Sequence, residues 1–196
     1  MNILIINTAF EVADYIVLKN DEVYSFKTDS NAKHSETSLV YIDKALQGAG
    51  IGINDIDAVA VNLGAGSFTG IRIGVAIAKG FLSANNNLKA IGFNSFEPLL
   101  NRLKSGSGKI LISTGKSDYY TCEVKDYKII NMKCEVLQEN DTSEEICIFD
   151  NIYNENELID LVKEKAKSGI FSDNNELEPV YLKLSQAEEE LLKKTK

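Results

Sequence analysis

Ile3-Leu4-Ile5 near the start of the chain and Ile110-Leu111-Ile112 past its middle open two stretches of the same design, and the fold follows from that repetition. Asn2 to Thr8 is a continuous apolar run, the pattern of a strand buried on both faces. Two strand segments follow, Asp14 to Leu18 and Glu22 to Lys27, and the polar turn Lys19-Asn20-Asp21 between them makes a hairpin. After Ile110-Leu111-Ile112 the order returns. Asp118-Tyr119 stands where Asp14-Tyr15 stood, an alternating run follows, and Lys125-Asp126-Tyr127-Lys128 supplies the turn.

Behind the first hairpin the period changes. From His34 to Ala49, the residues Leu39, Ile42, Ala45, Leu46 and Ala49 recur at three and four, a helix with one apolar stripe that Gly48 and Gly50 bring to a stop. Ala58 to Val61 is a short buried strand, Thr69 to Ala84 a helix, Lys89 to Phe93 a strand and Phe96 to Lys104 a further helix. The second copy is less complete, with strands at Tyr119 to Val124, Ile129 to Leu137 and Ile146 to Phe149 and one helix from Glu157 to Lys167. A strand, a hairpin and then alternating helix and strand, occurring twice, is the α/β layout of the actin-like, Hsp70-like ATPase fold. Ser105-Gly106-Ser107-Gly108 is the most linker-like stretch, so two subdomains are expected, 1–105 and a smaller, reduced 106–196. The last residues, Gln186 to Lys196, set Glu four before Lys and read as a solvated surface tail.

The most informative stretch for chemistry is Gly64-Ala65-Gly66-Ser67-Phe68-Thr69-Gly70-Ile71-Arg72-Ile73-Gly74, between a buried strand and a helix. Glycines there permit tight turning and leave amides pointing outward, so Gly64, Gly66, Ser67 and Thr69 are candidates for a phosphate-facing loop. The alternative is structural, with Ser67 or Thr69 capping the helix and the glycines allowing close packing. No Walker A loop is present, because Ile71-Arg72 follows Gly70 where Lys and Ser or Thr are needed, and Gly115-Lys116-Ser117 fails on its spacing too. The helix behind the loop is apolar all round, with only Arg72 and Lys79 charged, so it needs cover on more than one side. Gly70, Gly74 and Ala78 lie four apart and form a smooth stripe on which a second helix could approach, with Ile77 and Phe81 beside it.

Composition removes whole classes of function. With 21 Lys+Arg against 29 Asp+Glu, the net charge of -8 and the lack of a long basic run argue against unaided binding of a phosphate backbone. Ile71 to Ala84 is interrupted by two charges and is shorter than the ~20 apolar residues a bilayer needs, so no membrane span is expected. Met1-Asn2-Ile3-Leu4 enters the apolar run without a basic segment, so no leader is expected either. Cys122, Cys134 and Cys147 are odd in number and never spaced as CxxC, which suits core thiols in a reducing cytoplasm. A single histidine, His34, excludes a two-histidine metal site, and no metal ligand set is assigned.

Gly64 to Gly74, Ala78-Lys79-Gly80, His34-Ser35-Glu36 and Pro179-Val180-Tyr181-Leu182 together resemble the TsaB (YeaZ) family, bacterial partner subunits in making threonylcarbamoyladenosine in transfer RNA. The GSFTGxRIG core carries the resemblance most specifically, and the match extends from the first strand to the family's C-terminal strand. It implies the duplicated actin-like fold and a noncatalytic scaffold with no catalytic residue. Such a subunit binds and activates TsaD, which transfers the threonylcarbamoyl group from its adenylate onto N6 of the adenosine beside the anticodon. The small ATPase TsaE joins the complex, and tRNA is reached only through it. The resemblance places the partner interface on the two N-terminal helices as half of a four-helix bundle, at or near Ser38, Tyr41, Ala45, Gly70, Gly74, Ile77, Ala78 and Phe81. The same surface implies a homodimer when the partner is absent. It implies no cofactor of the chain's own, and any nucleotide would sit at the subunit junction.

Two departures bear on activity. Gly64-Ala65-Gly66 stands where the family has Gly-Pro-Gly, and Asn7-Thr8-Ala9 where it has an Asp-Thr pair. Actin-like ATPases use an aspartate there for the metal, and Asn7 brings no charge to a magnesium ion. The competing reading is a small ATP-binding phosphotransferase that uses Gly64 to Gly70 on phosphate.

Overall fold

The computed structural model describes residues 1–30, 32–114, 117–136, 146–149, 154–184 and 188. The tail expected over Gln186 to Lys196 therefore lies outside the described residues except for Glu188, as do Gly115 and Lys116. The chain packs as two compact units, residues 1–98 with 152–179 and residues 99–151 with 180–196. A contiguous cut after residue 105 is thus not how the chain is organised: a late helix returns to the first sheet.

In the first unit, five strands run β1 (Ile3–Asn7), β2 (Asp14–Lys19), β3 (Glu22–Lys27), β4 (Ala58–Asn62) and β5 (Lys89–Phe93), in the order β3-β2-β1-β4-β5. β1 pairs antiparallel with β2 and parallel with β4, so the hairpin continues into a parallel edge. Asn20 and Asp21 turn the hairpin with positive φ, 50° and 71°, the conformation a two-residue turn of this hand requires. Helices α1 (His34–Gly48) and α2 (Phe68–Ala84) cover the face that carries Ile6, Tyr15 and Val61.

The opposite face is closed by α3 (Glu155–Lys167), whose Leu158, Ile159 and Val162 join Ile3, Ile5, Ile16, Leu18, Ala58, Ala60, Ile91 and Phe93 in one core. Each of those three side chains contributes about 1.5–3 kcal/mol through its burial there. Asn154 caps it, and its termini carry Glu155 and Glu157 at one end and Lys165 and Lys167 at the other, as the helix dipole favours.

The second unit holds β6 (Gly108–Ser113), β7 (Asp118–Lys125), β8 (Lys128–Val136) and β9 (Ile146–Phe149), in the order β8-β7-β6-β9. β6 pairs antiparallel with β7 and parallel with β9, the same arrangement that β1 has with β2 and β4, so the duplication read from the sequence is present in the sheets. One face carries an ion network, with Lys109 Nζ and Lys133 Nζ each 2.9 Å from Glu135 and Thr121 Oγ1 donating to Glu135 at 3.0 Å. Burial alone would raise the Glu135 pKa, but these donors outweigh it and hold the carboxyl below its ordinary value.

Three expectations change in detail. Residues 97–102 form a 3-10 helix in place of the helix expected over Phe96 to Lys104, closed by the i to i+3 bond from Leu103 N to Leu100 O, 3.1 Å. Leu39 is 61% exposed, because the buried stripe of α1 runs through Ser38, Ile42, Ala45, Leu46 and Ala49. Pro179 to Leu182, which the resemblance places in a C-terminal strand, is irregular.

Candidate functional site

The glycine loop leaves the C-terminal end of β4, beside β1, the end of parallel strands at which ligands commonly bind in α/β sheets. Its amides, however, are largely committed within the chain. Gly64 N–H donates to Asn62 Oδ1 at 2.9 Å, Ser67 N–H to the Ala9 carbonyl at 2.7 Å, Gly70 N–H to Ser67 Oγ at 3.2 Å and Ile71 N–H to the Ser67 carbonyl at 2.9 Å. Ser67 is thus the helix cap, while the Gly64–Ala65 peptide is cis. A Cβ on Gly66 would overlap the Ala9 carbonyl, and one on Gly70 the Thr8 carbonyl. The glycines at these two positions answer to the close approach of the segment after β1, and the Gly64, Ser67 and Gly70 amides, which could have faced a phosphate, are bonded within the chain.

The metal position is filled with incompatible groups. Asn7 turns its Nδ2 toward Asp14 Oδ2 at 2.9 Å, and the Lys27 ammonium lies 3.4 Å from Asp14 Oδ1. Donors and a fixed cation surround the one carboxylate, which does not fit a divalent ion bound for nucleotide phosphates. Among the described residues there is no group of three His, Cys, Asp or Glu side chains placed to hold a metal. Burial pushes the Cys122 thiol up to about 12, and burial together with Asp118 pushes Cys134 up to about 11, so neither is a poised nucleophile. His34 ties the start of α1 to the segment between β1 and β2, its Nε2 2.7 Å from the Phe10 carbonyl.

The outer surfaces of α1 and α2 carry exposed apolar side chains. Of the eight interface candidates, Ser38, Ala45, Gly70, Gly74 and Ala78 are buried inside the first unit and do not face outward. Ser38 shares a 2.6 Å hydrogen bond with Tyr15 OH, and Gly70 and Gly74 press on Thr8. Tyr41, Ile77 and Phe81 are half-buried and reach the surface, Tyr41 stacking on Tyr15 at 5.9 Å. The outward stripe of α2 instead runs Ile73, Ala76, Ile77, Gly80 and Phe81, with Ala76 and Gly80 exposed. On α1, Leu39 and Val40 stand 61% and 53% exposed. Val40 lay outside the helix's apolar stripe in sequence, and an apolar residue off the stripe is the signal that could have found this surface.

The two sheets, each a central strand with an antiparallel hairpin on one side and a parallel strand on the other, define a duplicated actin-like α/β protein. The family model described as "TsaD: tRNA N6-adenosine threonylcarbamoyltransferase" matches residues 28–171. The chain belongs to that family, as a member of the TsaB (YeaZ) kind.

The "tRNA threonylcarbamoyladenosine biosynthesis protein TsaB" of Haemophilus influenzae is 34% identical over 80 residues, 41% of this chain and 34% of that protein. A "tRNA N6-adenosine threonylcarbamoyltransferase" of Cereibacter sphaeroides is 41% identical over 61 residues, 31% of this chain and 16% of that protein. The chain spans less than half the length of these curated relatives. A crystal structure from Pseudomonas aeruginosa, described as an uncharacterized protein with similarity to peptidase YEAZ, superposes with a TM-score of 0.72 at 17% identity, covering 93% of this chain and 99% of that one. Among the described residues no helix is long and apolar enough to cross a membrane.

Proposed function

We propose that this chain serves tRNA threonylcarbamoyladenosine biosynthesis as a noncatalytic subunit that binds the catalytic subunit TsaD through the outer faces of α1 and α2, with TsaE joining the assembly and tRNA held by the partners. The observation that carries this reading is the pairing of exposed apolar residues on α1 and α2, Leu39, Val40, Ala76 and Gly80, with a glycine loop in which the Gly64, Ser67 and Gly70 amides are bonded within the chain. The first asks for a helical partner. The second, with Asn7 and Lys27 around Asp14, speaks against independent phosphoryl transfer. The net charge of -8 is consistent with leaving the RNA to another subunit. Without TsaD the same surface pairs two copies of the chain. Any nucleotide belongs to the subunit junction, and the compartment is the cytoplasm.

The test is size-exclusion of the chain mixed with TsaD. The wild type co-elutes with it, while Leu39→Glu with Val40→Glu stays apart and keeps its own melting temperature. Co-elution of that double variant at normal affinity would refute the surface. Calorimetry of the isolated chain with ATP and magnesium addresses the phosphotransferase alternative, and turnover there would replace the scaffold reading.

A further inference from the structure

On the face that α3 covers, one row of side chains is polar where its neighbours are apolar. Lys27 of β3, Asp14 of β2, Asn7 of β1 and Asn62 of β4 stand side by side on adjacent strands, with Asp14 paired to Lys27 and Asn7 to Asp14 in the sheet register. Asn7 and Asn62 are wholly buried and Asp14 is 8% exposed, so each polar atom must find its partner inside the protein.

The partners form a chain with one direction. Asp14 is acceptor-only as a carboxylate, so Asn7 must present its Nδ2, 2.9 Å away. That leaves Asn7 Oδ1 to accept from Asn62 Nδ2 at 2.9 Å, and leaves Asn62 Oδ1 to accept from Gly64 N–H at 2.9 Å. Turning either amide over would set donor against donor and acceptor against acceptor along the whole row. At the far end Ser95 fastens the same turn, its Oγ 3.1 Å from Asn62 Oδ1 and 2.5 Å from the Ala65 carbonyl and its N–H donating to the Gly64 carbonyl at 2.7 Å. At the near end Lys27 holds Asp14 at 3.4 Å and lies 3.7 Å from Glu155 at the start of α3, which Ser25 Oγ also reaches at 2.7 Å.

We propose that Asp14 is a positioning residue for α2: its carboxylate fixes the orientation of the Asn7 and Asn62 amides, and through them the Gly64–Ser67 turn from which the helix starts. The turn assignment stands by itself; its consequence for a partner rests on the proposed function. The row also accounts for Asn7. An aspartate there would place a second carboxylate against Asp14 with only one ammonium to serve both. Burial raises the Asp14 pKa above its ordinary value, and Lys27 and the Asn7 amide offset that rise only in part.

Amide hydrogen exchange on the full chain tests this. Asp14→Ala removes the acceptor, whereas Asp14→Asn can keep an oxygen facing Asn7. The expected result is that Asp14→Ala speeds exchange at Gly64 and Ser67 by about tenfold or more while Asp14→Asn stays within about threefold of wild type. Wild-type rates in both variants, or equal acceleration in both, would overturn the proposal. Should Asp14→Ala fail to fold, the side-chain amides of Asn7 and Asn62 in the wild type decide: they are expected to outlast the exposed Asn86 amide in exchange by about tenfold or more, and parity with Asn86 would overturn the relay. Affinity for TsaD should fall in Asp14→Ala and recover in Asp14→Asn. If the wild type itself does not bind TsaD, the partner reading fails, and the exchange rates still judge Asp14.

Discussion

Gly74 lies against Thr8 so closely that a Cβ built on the glycine would overlap Thr8 Oγ1, with Ile6 and Val61 methyl groups 3.5 Å away. The hydroxyl has little freedom to retreat, because it donates at 2.7 Å to the Gly70 carbonyl one turn earlier in α2. Helix and strand are held at a separation that only glycine permits.

The same substitution should therefore have opposite signs at two positions of one helix. At a solvent-facing helical glycine, alanine gains about 1 kcal/mol. Gly80 is such a site, with nothing within 4 Å of an added Cβ. Gly80→Ala is expected to raise the melting temperature of the isolated chain by roughly 2–4 °C, and Gly74→Ala to lower it by a similar or larger amount through overpacking of about 1–3 kcal/mol. Thermal denaturation of the two variants checks both. A stabilised Gly74→Ala would mean that α2 can lift from β1 at little cost.

The duplicated sheets were legible in the sequence because their signal is local: apolar runs, alternation, and a polar turn at a fixed place after each. The destination of α3 was not, since Leu158, Ile159 and Val162 mark an apolar face without saying which sheet it meets. The outward face of α2 was half legible for the same reason. Periodicity shows that α2 is apolar all round, but which side is inside depends on the bulk of Ile6, Thr8 and Val61 opposite. On α1 the hydropathy pattern chose Leu39 over Ser38, whose buried bond to Tyr15 OH no apolar count can register.

Asn7→Asp should destabilise the fold in a pH-dependent way. Two buried carboxylates would then face each other, which raises the proton affinity of the pair in the folded state. A raised folded pKa means the protein binds more protons than the unfolded chain, so the variant loses stability as pH rises and regains it in acid. Urea midpoints should show a deficit of about 2 kcal/mol or more at pH 7 that narrows toward pH 4. A deficit independent of pH would mean that Lys27 neutralises both carboxylates.

In the second unit the sign reverses. Asp118 accepts from Lys183 Nζ at 2.5 Å and from Thr114 Oγ1 at 2.7 Å, and these contacts, the lysine first, hold its carboxyl well below the ordinary value of 3.8. A lowered folded pKa contributes stability above that ordinary value and loses it as pH falls through and below it. Lys183→Met should thus cost about 1 kcal/mol at pH 7, and the gap between variant and wild type should shrink as the pH drops below 4. Both side chains are mostly buried, 30% and 17% exposed, so 0.5 M salt should reduce the gap only in part. Denaturant midpoints at pH 7, 5 and 3 make the comparison. A gap of the same size at pH 3 would mean that Lys183 does not act through the Asp118 charge, because a charge effect on Asp118 must fade once the carboxylate begins to take up its proton.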